Sequence, residues 1–441
     1  MFSNAYLRHL ILPLVAESLL AVTIGMADTV MVAVNGEMAV SGISLVDAFS
    51  QLMIAMFSAF ATGGAVVSSQ YLGNQDRPSA CEAGRQLYML SLVVGLGIVI
   101  LFLPIRRSFL GLLFGHIEQG VMDSGVTYFF WILLSFPFLA IYNSCAALFR
   151  SMGNSKLSLK VSLLMNLINI GGNALLIYGA HLGVAGAGIA TLASRMAAAV
   201  AMTCLLRSSQ NAIHLDGMFP FHWKKPMIAK ILQIGIPSGV ESSVFQVGKL
   251  LVQNFIAGLG TASLAANAIC NSIASFANIP GNAMGLASIT VVGQCIGAGK
   301  PDQASLYAKR LLWKTYLFMG ITSLSIYVFS PAIAHWFGLS EEAETIAVSV
   351  LRQCMLFSAL VWPVSFELPN SLRAAGDAKY TMIVSMCSMW GFRVLFSYVL
   401  TTWAHLGLNG IWMGMYVDWI CRAFFFVTRF RNGKWKTKRL I

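Results

Sequence analysis

The sequence predicts an all-α integral membrane protein: twelve transmembrane helices in two six-helix bundles related by a parallel internal repeat. Composition, run length and repetition predict it. Of 441 residues, 57% are hydrophobic and only 10% charged, against roughly 45–50% and about 25% in soluble domains; mean hydropathy is +0.73. The apolar residues fall into runs of the roughly 20 residues needed to cross about 30 Å of hydrocarbon. Four short motifs in the first half recur in the same order in the second.

Run length and Gly, Pro or charged punctuation place the first six spans near residues 9 to 34, 45 to 70, 87 to 112, 122 to 148, 157 to 179 and 184 to 206. The other six lie near 228 to 258, 264 to 295, 311 to 336, 344 to 371, 381 to 403 and 406 to 428. The first run is too long for a signal peptide and carries Glu17 and Asp28, so it is read as the first transmembrane helix. The longest connection divides the chain into an N-terminal six-helix bundle (1–207), a cytoplasmic linker (208–227) and a C-terminal six-helix bundle with a basic cytoplasmic tail (228–441).

Charge orients these spans. The formal net charge is +12, and alternate connections hold the basic residues: Arg77 and Arg85; Arg150, Lys156 and Lys160; Arg207, Lys224 and Lys225; Lys300, Lys309 and Arg310; Arg373 and Lys379. The opposite connections have Arg106 and Arg107, then mainly Glu118, Asp123, Glu341, Glu342 and Glu344. Such asymmetry is a topology signal rather than a nucleic-acid footprint. With the basic residues of the tail it predicts a multi-pass protein of the plasma (cytoplasmic or inner) membrane, both termini cytoplasmic. Eight cysteines without a C-x-x-C spacing predict neither a metal site nor a disulfide framework.

The repeat is legible by eye. HLILPLVAE (9–17) matches QIGIPSGVE (233–241), SSQYLG (68–73) matches VGQCIG (292–297), LFRSMGN (148–154) matches SLRAAGD (371–377), and HLGVAG (181–186) matches HLGLNG (405–410). The offset is 223 or 224 residues throughout. Six spans per repeat make the halves parallel, an organisation that predicts a central cleft between them and alternating access.

This order of motifs, with GMADTVMVAVNG (25–36), NLINIGGNALLIYG (166–179), GVAGAGIAT (183–191) and DWICRAFFFVTRFRNGKW (418–435), resembles the multidrug and toxic compound extrusion (MATE) family, its prokaryotic DinF-like branch more than the eukaryotic one. The resemblance covers essentially the whole chain. It implies secondary-active export of organic compounds against inward sodium ions or protons. It also implies that Asp28, the face bearing Asn169 and Asn173, and Thr191 gather into a cation-linked site in the N-terminal half. Many relatives have an aspartate where Asn173 stands, so this chain carries one negative charge fewer there.

The residues themselves support several readings. A carboxylate within an apolar helix costs at least about 2.5–3.5 kcal/mol on insertion scales, which singles out Asp28 as an ion-coupling residue or a buried polar anchor. Asn169 and Asn173 share a helix face at i, i+4, as ion ligands or as interhelical glue. Oxygen ligands suit a hard cation, so Asp28, Asn169 and Thr191 would be the metal ligands if Na+ is the coupling ion; a single carboxylate equally suits a proton. Glu17 and Glu241 are repeat equivalents, each four residues after a proline; they either face each other across the cleft and favour a cationic substrate or are paired within their own halves. Lys249, eight residues beyond Glu241, would neutralise a carboxylate, bind an anionic part of a substrate, or snorkel. Asp418 and Arg422 have the spacing of a same-helix ion pair. Arg195, Arg352 and Arg393 read as anchors or interhelical partners, and Arg150 and Arg373 as loop anchors beside Gly153 and Gly376.

The function expected is an antiporter exporting organic, cationic or amphipathic compounds in exchange for Na+ or H+, with a lipid-linked saccharide or lipid precursor flippase as the alternative. No P-loop and no His or Cys cluster point to an enzyme. No cofactor is expected beyond the coupling ion. The partners expected are a small organic substrate and membrane lipid, not nucleic acid, for a monomeric chain.

Overall fold

A computed structural model describes residues 2–33, 36–115, 118–215, 221–438 and 440–441, without the side chains of 24–30 and 32–33. Among the described residues all regular structure is helical. In a bilayer no water is available to backbone groups, so a spanning chain must close its own hydrogen bonds. Eleven described helical stretches are long and apolar enough to cross a membrane. Leu112, Ile100, Trp313, Trp336 and Trp403 are each more than two-thirds exposed, an outward apolar surface that suits lipid.

Packing divides the described residues into two compact units, Phe2–Gly239 and Val240–Ile441. The N-terminal unit holds α1 (Asn4–Ala33), α2 (Glu37–Gly73), α3 (Arg77–Phe102), α4 (Arg106–Phe114), α5 (Gln119–Ser151), α6 (Ser155–Asn173), α7 (Gly183–Leu206) and the start of α8 (Lys225–Ala257). The division falls inside α8 rather than in the 208–227 connection, because the start of that helix packs on α2: a Cβ on Gly63 would lie 2.4 Å from the Ile231 carbonyl. The connection is itself tied to α3. Gln86 donates to the His222 carbonyl (2.8 Å), and Glu82 meets Lys224 (3.3 Å).

Within this unit α5 is the central helix, packed on α2, α3, α4, α6 and α7. Small residues permit the closest contact: a Cβ on Gly42 of α2 would sit 2.7 Å from the Gly125 amide and the Val121 carbonyl of α5, as expected where close backbone approach drives helix association. Phe49, Phe102, Phe109 and Phe129 form an aromatic cluster, with Phe49 5.1–5.4 Å from the other three ring centroids, and pin the short α4 against the bundle. The third span begins at Arg77, ten residues earlier than the hydropathy suggests, because its polar first turns are helical and capped. Asp76 accepts from the Ser79 amide at 3.1 Å, with Pro78 in the first turn. The residues expected at its far end, 106 to 112, belong instead to α4, beyond a break containing Pro104.

The C-terminal unit holds the rest of α8, then α9 (Thr261–Ala277), α10 (Ile279–Gly297), α11 (Pro301–Trp336), α12 (Glu341–Leu360), α13 (Leu368–Ala374), α14 (Ala378–Ser388), α15 (Leu395–Thr402) and α16 (Gly407–Arg431). The eighth span, expected to be continuous over 264 to 295, is broken at Asn278, just before Pro280, which lacks the N–H a helix interior requires; its repeat equivalent α2 has Met56 there and runs unbroken. Helix α12 opens on Ser340, whose hydroxyl accepts from the Ala343 amide, with Glu341, Glu342 and Glu344 in the first turn, favourable against the positive helix end. After α16, Trp435 is fully buried and stacked on Phe430 at 5.1 Å. Lys436 reaches Asp302 (2.8 Å), so part of the basic tail is docked on this unit.

The repeat extends to backbone geometry. Positive φ angles recur at Gly36 and Gly260 (89° and 92°), Gln75 and Gly299 (61° and 68°), Gly153 and Gly376 (81° and 100°), and His181 and His405 (53° and 50°). The turn bonds recur too: Asn154 N to Phe149 O at 2.9 Å and Asp377 N to Leu372 O at 3.0 Å. Among the described residues three π-helical segments widen their spans, at Ala174–Gly179, Pro363–Glu367 and Met389–Val394; such turns recur at functional sites.

Candidate functional site

A polar cavity of about 350 Å³ lies inside the N-terminal unit. Helix α6 contributes Met165, Asn166, Asn169 and Asn173, and α7 contributes Thr191 and Arg195. The i, i+4 spacing predicted a shared face for Asn169 and Asn173, and both line this cavity, nearly buried. Asn169 Nδ2 donates to Thr191 Oγ1 at 3.3 Å, and that hydroxyl donates to the Ala187 carbonyl at 3.0 Å. Asn173 ends α6 where the π-helical segment begins. Arg195 Nη1 donates to Ser135 Oγ on α5 at 2.7 Å. The structure therefore brings Asn169, Asn173 and Thr191 together. The Asp28 side chain lies outside the described residues.

Sequence reasoning missed Asp47 and Gln51, which line the cavity from α2. The expected second span began at 45, which made Asp47 look terminal. The helix starts at Glu37, so Asp47 is an interior carboxylate sharing one face with Ser44 and Gln51. Among the described residues the cavity thus combines a carboxylate, which is exposed, with three asparagines, hydroxyls and a guanidinium. Oxygen-rich linings of this kind hold a hard cation or relay a proton.

The carboxylates Glu17 and Glu241 line neither of the two polar cavities described here, and each meets an arginine of its own half. Glu17 accepts from Ser158 Oγ at 2.9 and 3.0 Å and lies 3.6 Å from Arg150. Glu241 is 2.7 Å from Arg373, whose other terminal nitrogen donates to Asn370 Oδ1 at 2.7 Å. Arg150 and Arg373 belong to the repeated LFRSMGN and SLRAAGD turns, so both pairs are products of the repeat. Asp418 and Arg422 form the same-helix pair their spacing implies, at 2.7 Å.

Lys249 lies in the C-terminal unit, beside a second cavity of about 40 Å³ with Gln253, Asn267, Asn271, Arg393 and Trp412. Arg393 stands on the π-helical segment Met389–Val394, its guanidinium 5.4 Å from the Phe245 ring centroid. Methionine lines both cavities, as Met165 and Met415. Among the described residues no group of three or more His, Cys, Asp or Glu side chains is placed to hold a metal ion.

A MatE family model matches residues 13–175 and again 237–399, the two halves of the repeat. The uncharacterized transporter YisQ of Bacillus subtilis is 28% identical over 97% of this chain and 94% of that protein. A probable multidrug resistance protein NorM of Thermotoga maritima is 25% identical over 99% of this chain and 94% of its own length. A multidrug resistance MATE family transporter of the MOP superfamily, solved in an outward-facing conformation, shares the fold with a TM-score of 0.89 at 19% identity, covering 97% of this chain and 95% of that one. The twice-matched, multi-helical chain belongs to the MatE family, whose members are multi-pass membrane transporters rather than enzymes.

Proposed function

We propose that the protein is a secondary-active antiporter exporting organic, cationic or amphipathic compounds in exchange for inward Na+ or H+ by alternating access. The observation that carries this reading is the polar cavity of the N-terminal unit, which Asn169, Asn173 and Thr191 line together with Asp47. Asp28 is the principal coupling residue, and Asp47 adds a second negative charge where the chain has Asn173. An ion entering this site favours the state that releases the organic compound. By reciprocal linkage, the compound weakens the ion. The basic connections favour a location in the cytoplasmic membrane with both termini inside. The lipid-precursor flippase alternative is not favoured, since relatives such as the Thermotoga maritima protein bear multidrug resistance names.

Asp28→Asn and Asp47→Asn, purified and reconstituted into liposomes, test the assignment. Gradient-driven export is expected to fall at least about tenfold in Asp28→Asn and to shift its ion or pH dependence in Asp47→Asn. Export at the parental rate in Asp28→Asn overturns the coupling role.

A further inference from the structure

The small cavity of the C-terminal unit is built differently from the large one. Lys249 from α8 and Arg393 from the π-helical segment both line it, and no carboxylate does among the described residues. Beside Arg393, the Arg422 guanidinium lies over the same Phe245 ring, at 5.4 Å. The carboxylate of this neighbourhood, Asp418, is held by Arg422 at 2.7 Å and accepts from Ser388. Since Arg422 already pairs with Asp418, Lys249 and Arg393 are the charged groups that line the cavity among the described residues. Arg393 Nε is buried with no hydrogen-bond partner among the described residues, and leaving a charged donor in this condition is costly.

The neutral lining supplies donors. Asn267 Oδ1 accepts from Trp412 Nε1 at 3.1 Å, and Asn267 Nδ2 donates to Gln253 Oε1 at 3.3 Å. The Gln253 oxygen is therefore engaged, and its NH₂ remains as a donor. A volume of about 40 Å³ fits a head group, not a whole drug molecule. Lys249 is exposed, which leaves room for the rest of a ligand outside.

We propose that this cavity is an anion subsite, in which Lys249 and Arg393 together hold the carboxylate, phosphate or sulfonate group of an amphipathic molecule. That the molecule is cargo rests on the transport reading above; that the site binds an anion rests on its own geometry. Planar Arg393 supplies paired donors and Lys249 a point charge, a combination suited to tetrahedral or planar oxyanions.

The test uses full-length protein in phosphatidylcholine nanodiscs without any ion gradient, so that it does not depend on coupling. Anilinonaphthalene sulfonate is titrated as the anionic probe and ethidium as the cationic control, with tryptophan fluorescence as the second readout. A parallel series in discs containing phosphatidylglycerol distinguishes a lipid phosphate from a soluble ligand: a lipid occupant weakens the sulfonate by competition, whereas a soluble one leaves it unchanged. The expected result is at least a tenfold loss of sulfonate affinity in Lys249→Gln and in Arg393→Gln, recovery in Lys249→Arg, and little change for ethidium. Equal sulfonate affinity in all variants, or equal losses for both dyes, overturns the proposal. Arg393→Lys, which keeps the charge, serves if Arg393→Gln does not fold; it should bind the sulfonate more tightly than Lys249→Gln does, and the reverse order counts against the site. Failure here leaves gradient-driven export intact, and failure of export leaves this binding intact.

Discussion

At the scale of single residues, the repeat made Glu17 and Glu241 equivalent, and the structure shows that their environments differ in strength. The Glu241–Arg373 contact is the shorter, 2.7 Å against 3.6 Å for Glu17 and Arg150. Removing one partner of a buried pair strands the other, at a cost of about 3–5 kcal/mol. Glu241→Gln should therefore lower the unfolding temperature in detergent more than Glu17→Gln, where Ser158 still contacts the side chain. The double change Glu241→Leu with Arg373→Leu should be milder than Glu241→Gln alone; an additive loss would show that the pair is not coupled. The two acids were legible as unusual, but their partners were not. Each lies more than 130 positions away in sequence, on a turn whose basic residue also serves topology. Asp47 escaped notice because hydropathy marks where apolar character begins, whereas the polar first turns of α2 are already helical.

At the scale of elements, helix identity was written in apolar run length, but helix breaks were not: the chain breaks beside Pro104 and Pro280, whereas Pro13, Pro137, Pro237 and Pro331 lie inside continuous helices. Glycine contacts and caps decide the rest. Gly42→Val is expected to destabilise by about 1–3 kcal/mol through overpacking against α5. Gly97→Ala, on α3 where a Cβ meets open space, should be neutral or stabilising by up to about 1 kcal/mol. Thermal melts of the two variants provide the comparison, and similar melting shifts would remove the close α2–α5 approach from the explanation. The cap of α3 offers a pH prediction. Hydrogen bonding from Ser79 holds the Asp76 carboxyl below the usual aspartate range. Its contribution is thus present above that range and lost as pH falls through the lowered value. Asp76→Ala should cost about 0.5–2 kcal/mol near neutrality, and its difference from the wild type should shrink in acid. The π-helical segments had no sequence signal beyond Pro363, because an i to i+5 turn uses the same residue types as its flanks.

At the scale of the whole molecule, twelve spans and a parallel repeat followed from composition, periodicity and matched motifs. The structure adds that the repeat is carried in turn geometry, since positive φ angles and their closing hydrogen bonds recur at nearly constant spacing. Side-chain chemistry does not follow that symmetry. Among the described residues, the N-terminal unit holds a large cavity with a carboxylate, a guanidinium and asparagines, and the C-terminal unit a small one with two cations. Two copies of one scaffold thus carry differently charged cavities, Asp47 with Arg195 in one and Lys249 with Arg393 in the other. That divergence was hidden in the sequence because Arg393 reads as an interhelical anchor until its neighbours are known. Ethidium efflux from proteoliposomes, under separately imposed sodium and pH gradients, examines the coupling most directly. Coupled exchange predicts uphill dye movement under one of the gradients, lost in Asp28→Asn. Dye movement that ignores both gradients, or that persists unchanged without the Asp28 carboxylate, would contradict it.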